Sequence, residues 1–472
     1  MSGSFIHISC DLHLNRAAGP GVRRQGRDLM KRKTIISLML SVFMAFGLMT
    51  GCGEEKKEAA PAAGTAAPQE AAAPAKPEKI NILMEAVPDT DFVLAQIAEF
   101  EKETGIKVVV ESINYASMHE KLLTQLLSKT NSYDVIVVDF YWVKEFADAK
   151  WMEPLDSYIE SSGFDTGVYV PTMMEMVGTV DGATYMLPFY NYMLGLVYRT
   201  DIFEDEELKT GYEAKFGREF KMPDNLADYV EMCKYITSVK GEALNGVVMQ
   251  GLRPDPITME WLNYFFSTGA DFFDADGNVA INSPEAVRSL ELYVDNMTHA
   301  APAGAPGFGF DEAFNVFAQG NAATYTTYNW MLQKLDNPAE SSVPGKVAFS
   351  GMPGGVSLNA GWGWAIPHNA PNKEAAWQFL AWVESFKVAK ARALDGGCPT
   401  RADIFSDPDL LAKFPHYNTV LDVMAHSKMF PQLVEANQLI EILGRELSEA
   451  VSGNKTSQAA LDTVAEEMKR MK

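Results

Sequence analysis

Apolar and polar positions alternate between strand-like and helix-like patterns from residue 79 onward. Short apolar runs predict β-strands over 79–84, 106–110 and 133–139. Between them, apolar residues at helical spacing predict helices over 92–103 and 118–127, the first ending at a typical Thr-Gly stop. Strand, helix, strand, helix, strand is the order of a parallel sheet covered on both faces. The sequence therefore predicts an α/β fold.

The rest of the chain is richer in helices. A strand interrupted by Pro188 is predicted over 185–199. Further helices are predicted over 226–237, 257–267, 284–297, 310–319, 373–386, 414–424, 433–451 and 457–471. The length that follows residue 79 is too great for one small core, so we expect two lobes.

Residues 30–51 have the pattern of an export signal. A basic start at 30–33 precedes an apolar run over 34–49, and small residues then lead to Cys52. The run is shorter than the roughly 20 apolar residues of a spanning helix. We expect a lipoprotein signal peptide over 30–51 with Cys52 lipidated, although Met49 replaces the usual Leu; the alternative is a lone cysteine after a core helix. Residues 1–29 are interpreted as a non-native upstream extension.

Residues 52–78 are rich in alanine and proline and predict a disordered tether. The chain carries a formal charge of −22, and loss of the basic leader would make it more acidic. Such a surface argues against nucleic acid or an anionic membrane surface as a partner. Cys233 and Cys398 show no spacing that ties them together, so no disulfide is predicted.

Two predicted strands end in residues suited to binding. Glu85 follows the first strand, and Asp139 ends the third, with Tyr141 and Trp142 directly after it. In open α/β sheets, ligands bind outside the carboxyl ends of the strands. These residues are therefore candidates for a ligand site.

A set of short motifs resembles one family of solute receptors. They lie at 100–108 (FEKETGIKV), 133–139 with 154–156, 182–188 with 198–201, 317–325 (FAQGNAATY), 361–379 (GWGWAIPHNAPNKEAAWQF), 397–401, and 451–453 with 459–461. Their order from about 79 to 472 is similar to that of family 1 extracellular solute-binding lipoproteins of ABC sugar importers, the maltose-binding-protein type. The resemblance implies a non-enzymatic, monomeric receptor without cofactor or metal, anchored outside the cytoplasm by its lipid and delivering a sugar, oligosaccharide or polyol to ABC permease subunits.

The resemblance also implies the architecture. It predicts the two-lobed periplasmic-binding-protein type II fold, each lobe a mixed, mostly parallel sheet flanked by helices. Three hinge crossings are expected near 187–192, 357–361 and 396–401. Lobe 1 would comprise 79–188 plus 360–396, and lobe 2 would comprise 189–358 plus 399–472.

A sugar receptor needs flat aromatic surfaces for the sugar faces and polar groups for the hydroxyl rim. At positions that the resemblance places in the cleft, the chain offers both. The predicted ligand-binding residues are Glu85, Asp139, Tyr141, Trp142, Tyr190, Asn191, Trp261, Tyr328, Asn329, Trp330, Trp362 and Arg401. Trp330 and Trp362 are the favoured stacking residues because they lie in short, turn-forming segments beside strands. The alternatives are packing for the tryptophans, a helix cap for Asp139 and hinge support for Arg401.

The sequence is also compatible with other functions. An exported glycosidase would also use aromatics and carboxylates, but no HExxH, GxSxG or GxxxxGK[ST] motif occurs. Receptors of the same fold also bind polyamines, iron or peptides; the tryptophan content favours a carbohydrate or polyol. Residues 274–285 partly match a calcium loop, but Val279 replaces the required glycine, and a turn at 276–277 is the preferred interpretation.

Overall fold

The structure, a computed structural model, describes residues 76–128 and 131–471. The predicted upstream extension, signal peptide, lipidation at Cys52 and most of the tether lie outside these residues. The strands are β1 Lys79–Glu85, β2 Lys107–Ile113, β3 Val135–Asp139, β4 Thr179–Val180, β5 Ala183–Thr184, β6 Leu187–Asn191, β7 Leu194–Arg199, β8 Thr324–Tyr328, β9 Val347–Ser350 and β10 Gly361–Ala365.

The first sheet has five strands in the order β2-β1-β3-β10-β6. β1 pairs in parallel with β2 and β3, whereas β10 runs antiparallel to both β3 and β6. Four of the five strands therefore point the same way, as expected for a mixed, mostly parallel sheet. β3 is buried along its whole length, which explains its continuous apolar sequence.

The second sheet has three strands in the order β8-β7-β9. β7 is antiparallel to both neighbours, so β8 and β9 point the same way and β7 alone opposes them. Single bridges from Asn245 and Val248 run parallel to β8 and extend the sheet on that side. A separate two-stranded hairpin is formed by β4 and β5.

The helices surround both sheets. They are α1 Pro88–Thr104, α2 Tyr115–Leu127, α3 Val143–Asp148, α4 Asp156–Ser162, α5 Pro171–Met173, α6 Thr200–Phe203, α7 Glu206–Phe216, α8 Leu226–Lys240, α9 Asp255–Ser267, α10 Pro284–His299, α11 Phe310–Ala318, α12 Met331–Leu335, α13 Lys373–Val383, α14 Phe386–Asp395, α15 Ala402–Phe405, α16 Pro408–Lys413, α17 Tyr417–Ala425, α18 Ala436–Val451 and α19 Ser457–Arg470. α9, α10, α18 and α19 pack against one another.

Local sequence explains the elements that lead to the site. α1 begins with Pro88 in its first turn, carries Asp89 and Asp91 there, and ends at Gly105 with φ +68°. α2 begins after Asn114, whose side chain accepts a hydrogen bond from the amide of Ser117. The helices predicted over 226–237, 257–267, 284–297, 310–319, 433–451 and 457–471 are present with ends shifted by a few residues.

The chain changes sheets directly after β6. Asn191 ends β6 in the first sheet and Leu194 begins β7 in the second, so Tyr190 and Asn191 pair within the first sheet. Three connecting segments of the chain lie side by side at this point, the third of them between α14 and α15. The Asn191 side chain donates to Oδ1 of Asn359 at 2.6 Å, and the Asn191 amide donates to the carbonyl of Cys398 at 3.4 Å. Hydrogen bonds thus join residues near 191, 359 and 398.

Candidate ligand-binding site

A cavity of about 580 Å³ lies where the edges of both sheets meet. Its volume is in the range of small-molecule sites. Eight aromatic and five acidic side chains line it: Tyr115, Phe140, Tyr141, Tyr192, Phe310, Tyr328, Trp330 and Trp362, with Glu85, Asp139, Asp255, Asp311 and Glu312. Among the described residues that line this cavity, none is Lys, Arg or His.

The first sheet supplies one wall through its strand ends. Glu85 is the last residue of β1 and Asp139 the last of β3. Trp362 pairs with Asp139 in the register of β10 and β3, and with Tyr190 in the register of β10 and β6. Because β10 runs antiparallel, its first residues share an edge with the carboxyl ends of the parallel strands.

The second sheet and two helix starts supply the opposite wall. Tyr328 ends β8, and Trp330 directly precedes α12. Asp255 is the first residue of α9, and Phe310 is the first residue of α11. Glu312 caps α11 by accepting a hydrogen bond from the Gly309 amide at 2.9 Å. Asp311 and Glu312 are exposed, so they form the rim of the cavity rather than its interior.

The aromatic rings support one another. Trp362 contacts Trp142 edge-on at 5.4 Å between ring centroids and Tyr190 at 6.0 Å. Tyr192 contacts Trp330 at 5.6 Å and Tyr328 at 6.1 Å. Trp362 is buried, whereas Trp330 is partly exposed and its Nε1 is enclosed without a hydrogen-bond partner.

Glu85 is held by one tyrosine. The Tyr190 hydroxyl donates to Oε2 of Glu85 at 2.6 Å. Burial raises the pKa of Glu85 to about 7, and the neighbouring charges of Asp89 and Asp255 raise it further against the lowering effect of the Tyr190 hydrogen bond.

The other inner carboxyls are perturbed in the same direction. Burial, followed by the charges of Asp255 and Glu85, raises the pKa of Asp139 well above its usual range. Burial and the charge of Glu441 raise the pKa of Asp255 to about 7. Nothing basic among the described residues forms an ion pair with Glu85, Asp139 or Asp255. The site therefore concentrates acidic groups that have no basic partner, and their burial and mutual repulsion favour the protonated forms.

Asp89 lies behind the cavity, near the crossings. It accepts hydrogen bonds from the Tyr192 hydroxyl and from the Cys398 amide, both at 3.0 Å. Burial raises its pKa to about 6 even though both hydrogen bonds lower it. Asp89 therefore adds negative charge near Glu85 and links a wall residue of the cavity to a crossing.

Half of the residues predicted from the sequence line the cavity. They are Glu85, Asp139, Tyr141, Tyr328, Trp330 and Trp362. The other six lie in neighbouring packing or outside the site: Trp142, Tyr190, Asn191, Trp261, Asn329 and Arg401.

Hydrogen bonds explain where the six lie. Tyr190 stands behind Glu85, while Asn191 belongs to the crossings. Trp142 donates to Asn437, and Trp261 is fully buried on α9 and donates to Ser289.

Arg401 and Asn329 are also absent from the cavity lining. Arg401 pairs with Asp403 and donates to the carbonyl of Glu384, contacts that suit hinge support. Asn329 is 1 % exposed and lies at 3.8 Å from the Cys398 sulfur.

Several lining residues escaped the sequence analysis. Tyr115, Asp255, Phe310, Asp311 and Glu312 all lie in the first turn of α2, α9 or α11. Acidic or aromatic residues at the start of a predicted helix could have indicated these binding residues, because ligands often approach helix N-termini. Which helix starts meet the sheet edge is a tertiary property.

The described residues contain no group of three or more His, Cys, Asp or Glu arranged to hold a metal ion. Nor does any helix within 76–128 or 131–471 combine the length and apolar character needed to cross a bilayer. Cys233 and Cys398 are buried free thiols.

Two sheets whose ends meet at a concave, aromatic site define a two-lobed solute receptor. Comparison with known proteins agrees: residues 86–390 match the model of the bacterial extracellular solute-binding proteins. The chain belongs to this family, whose members act outside the cytoplasm.

Relatives and solved structures resemble most of the chain. A probable amino-acid ABC transporter periplasmic-binding protein of Sinorhizobium fredii is 26 % identical over 77 % of this chain and 82 % of its own length. A solute-binding protein of Agrobacterium radiobacter K84 in complex with ribitol is 27 % identical, with TM-score 0.73 over 84 % of this chain and 100 % of its own. A maltose-bound protein of T. maritima is 26 % identical, with TM-score 0.72 over the same shares. These neighbours share the two-lobed type II fold.

Proposed function

We propose that this chain is the substrate-binding lipoprotein of an ABC importer and that it captures a sugar or polyol in the cavity without altering it. The observation that carries this proposal is the cavity itself. Aromatic rings such as Trp330 and Tyr328 suit C–H faces, and the carboxyls of Glu85, Asp139 and Asp255 suit a rim of hydroxyls. The ribitol and maltose complexes of related proteins support the same ligand class.

Carboxyls with raised pKa values fit a hydroxylated ligand. A protonated carboxyl donates one hydrogen bond and accepts others, and an ionised carboxylate only accepts. Glu85 and Asp255, each with a pKa of about 7, can either donate a hydrogen bond to a ligand hydroxyl or accept one from it. We propose the six predicted residues that line the cavity as ligand contacts, together with Tyr115, Asp255 and Phe310.

We propose that capture closes two lobes. One lobe is built around the five-stranded sheet and corresponds to about 79–191 plus 360–396; the other contains the remaining chain from Leu194. The adjacent hydrogen-bonded connections near 191, 359 and 398 support a common hinge. Each wall of the cavity belongs to a different lobe, so a ligand binds the closed form better and shifts the equilibrium toward it. The closed form would then dock on the permease subunits.

Export and anchoring belong to the same proposal. The leader over 30–51 and Cys52 support a lipid anchor that keeps a monomeric receptor at the outer face of the membrane or in the periplasm. Replacing Cys52 with Ala should move the protein from the membrane fraction to the soluble extracytoplasmic fraction. Retention of the C52A protein in the membrane fraction would contradict the anchor.

A thermal-shift screen tests the ligand class. A ligand at 100 times its Kd adds about 2.7 kcal/mol to the free energy of unfolding. We expect at least one neutral sugar or polyol to raise Tm by several degrees, and mass spectrometry to recover that compound intact. A response to polyamines alone would overturn the sugar and polyol assignment, and recovery of a cleaved compound would indicate an enzyme.

A further inference from the structure

All the charged side chains that line the cavity are acidic. Glu85, Asp139 and Asp255 lie inside it, and Asp311 and Glu312 lie at its rim. No described residue that lines the cavity is basic. A neutral ligand can bind these carboxyls as hydrogen-bond donors or acceptors, but only a cation would favour the ionised form of all three together.

Asp255 has an unmet hydrogen-bonding requirement in the cavity. Its Oδ1 is enclosed and has no hydrogen-bond partner, although it belongs to a residue that lines the cavity. A buried carboxylate oxygen without a donor is costly, so such oxygens are normally paired. A ligand that donates several charge-assisted hydrogen bonds would fill this role.

The aromatic walls favour the same kind of ligand. Eight rings line the cavity, among them Trp330, Trp362 and Tyr328. The faces of such rings attract cations, and the attraction grows when the cation is desolvated. Aromatic rings around carboxyls that have no basic partner can therefore recognise an ammonium group through two independent interactions.

We propose that the natural ligand carries a protonated amine on a hydroxylated chain or ring, as in an aminopolyol or amino sugar, with the ammonium held by Asp255, Asp139 and Glu85. This inference rests on the proposed function and narrows its ligand class. The hydroxyls use the remaining acceptors and the aromatic faces, while the amine supplies the charge that the wall lacks.

Matched pairs of compounds test the amine. Isothermal titration calorimetry at pH 7.5 would compare D-glucitol with 1-amino-1-deoxy-D-glucitol, and glucose, galactose and mannose with their 2-amino derivatives. In at least one pair, we expect the amine to bind with a Kd about tenfold lower than that of its neutral partner, or lower still. One added charge-assisted hydrogen bond is strong enough to change the Kd by a factor of about ten. Binding of neutral members with equal or weaker binding of every amine would overturn the inference and leave the proposed function intact.

Two further outcomes keep the proposals distinguishable. Absence of binding by every member of every pair would contradict the proposed function and this inference together. Tight binding of 1,4-diaminobutane, with none by the hydroxylated compounds, would also contradict both, because it would show recognition of amines alone.

A charge-neutral variant locates the amine site. Asp255→Asn should weaken binding of the amine member at least about fivefold more than binding of its neutral partner, because only the amine loses a charge-assisted contact. Glu160→Gln, an exposed change on α4, is the matched control and should alter neither value. If Asp255→Asn does not fold by circular dichroism, Glu85→Gln serves the same purpose. An unchanged preference in a folded variant of each residue would overturn the inference.

Proton release is an independent readout. The groups that face the inner carboxyls are Asp89, Tyr190, Tyr115, Tyr141 and Glu441, and none of them is a cation. Lys334 is nearby, with its Nζ 5.8 Å from the Trp330 ring centroid, but it does not line the cavity. A bound ammonium therefore favours ionised carboxyls, and we expect calorimetry in two buffers to show proton release for 1-amino-1-deoxy-D-glucitol, whose alkylamine is protonated at pH 7.5, and none for D-glucitol. Equal proton release by both members would count against the inference.

Discussion

The Tyr190 hydroxyl donates a 2.6 Å hydrogen bond to Glu85, which joins the edge strand β6 to β1 across the intervening strands of the first sheet. The bond opposes the burial that raises the pKa of Glu85 to about 7. It is made by a fully buried residue, so the orientation of a cavity-lining carboxyl depends on packing behind the cavity.

Replacing Tyr190 with Phe should raise the pKa of Glu85 above its present value. The change removes the hydrogen bond that lowers this pKa and leaves the burial that raises it. A carbon-13 titration of the glutamate carboxyls would measure the shift. Tyr192→Phe is the matched control, because its hydroxyl bonds Asp89 instead and should raise the pKa of that residue. A lower Glu85 pKa in Tyr190→Phe would contradict this account.

Replacing Trp330 with Ala should weaken ligand binding about tenfold with little change in folding, since one aromatic face of the partly exposed cavity wall is lost. The measurement is calorimetry with the best ligand from the screen, beside a urea unfolding curve.

Trp261→Ala provides the contrast to Trp330→Ala. Trp261 is fully buried on α9 and donates to Ser289 at 3.1 Å, away from the cavity. We expect a loss of about 3–5 kcal/mol in the free energy of unfolding. Affinity should be retained in the fraction that remains folded. A stronger effect on affinity than that of Trp330→Ala would refute the placement of Trp330 as the stacking residue.

The ligand-free protein should lose stability between about pH 4.5 and 7 through Glu85. Its folded pKa of about 7 exceeds the ordinary value of 4.5, so the contribution of Glu85 is fully present below about 4.5 and is lost as pH rises through about 7. Urea unfolding at several pH values would show it as a difference between wild type and Glu85→Gln. That difference should widen with rising pH, with the wild type falling relative to the variant. A constant difference would show that Glu85 titrates normally.

Removing Arg392 should destabilise the fold strongly. Its Nη2 lies 2.6 Å from Oε1 of Glu384, and both side chains are buried. Arg392→Met leaves an unpaired buried carboxylate, which costs about 3–5 kcal/mol. Urea unfolding measures this loss. Lys469→Met, which breaks an exposed pair with Glu466, should change the midpoint little.

Local patterns predicted most of the elements because their cause is local. β3 is apolar at four successive positions, and α10 has Pro284 at its start after a serine cap, so each element is evident within one window of sequence. The direction of β7 against its neighbours was not evident. Strand direction depends on which distant segment pairs with it, and nothing in β7 itself encodes Tyr325 or Phe349 as partners.

The candidate site divides in the same way. Glu85 and Asp139 were predictable, because each follows a strand of a recognisable parallel unit. Trp142 and Trp261 were predicted as ligand contacts from their residue type, but both pack against other side chains outside the cavity lining. A tryptophan suits a protein core as well as it suits a sugar face. Asp255 was missed because its role follows from the meeting of the α9 start with the first sheet.

By itself, the sequence determined the α/β class, the order of elements, the acidic charge and the family resemblance, because periodicity, composition and motifs are properties of neighbouring residues. Only the tertiary structure decided that three inner carboxyls share one aromatic cavity without a basic partner. Residues far apart in the chain, such as Glu85 and Asp255, influence each other's charge only after folding brings them together and removes the water that would screen them.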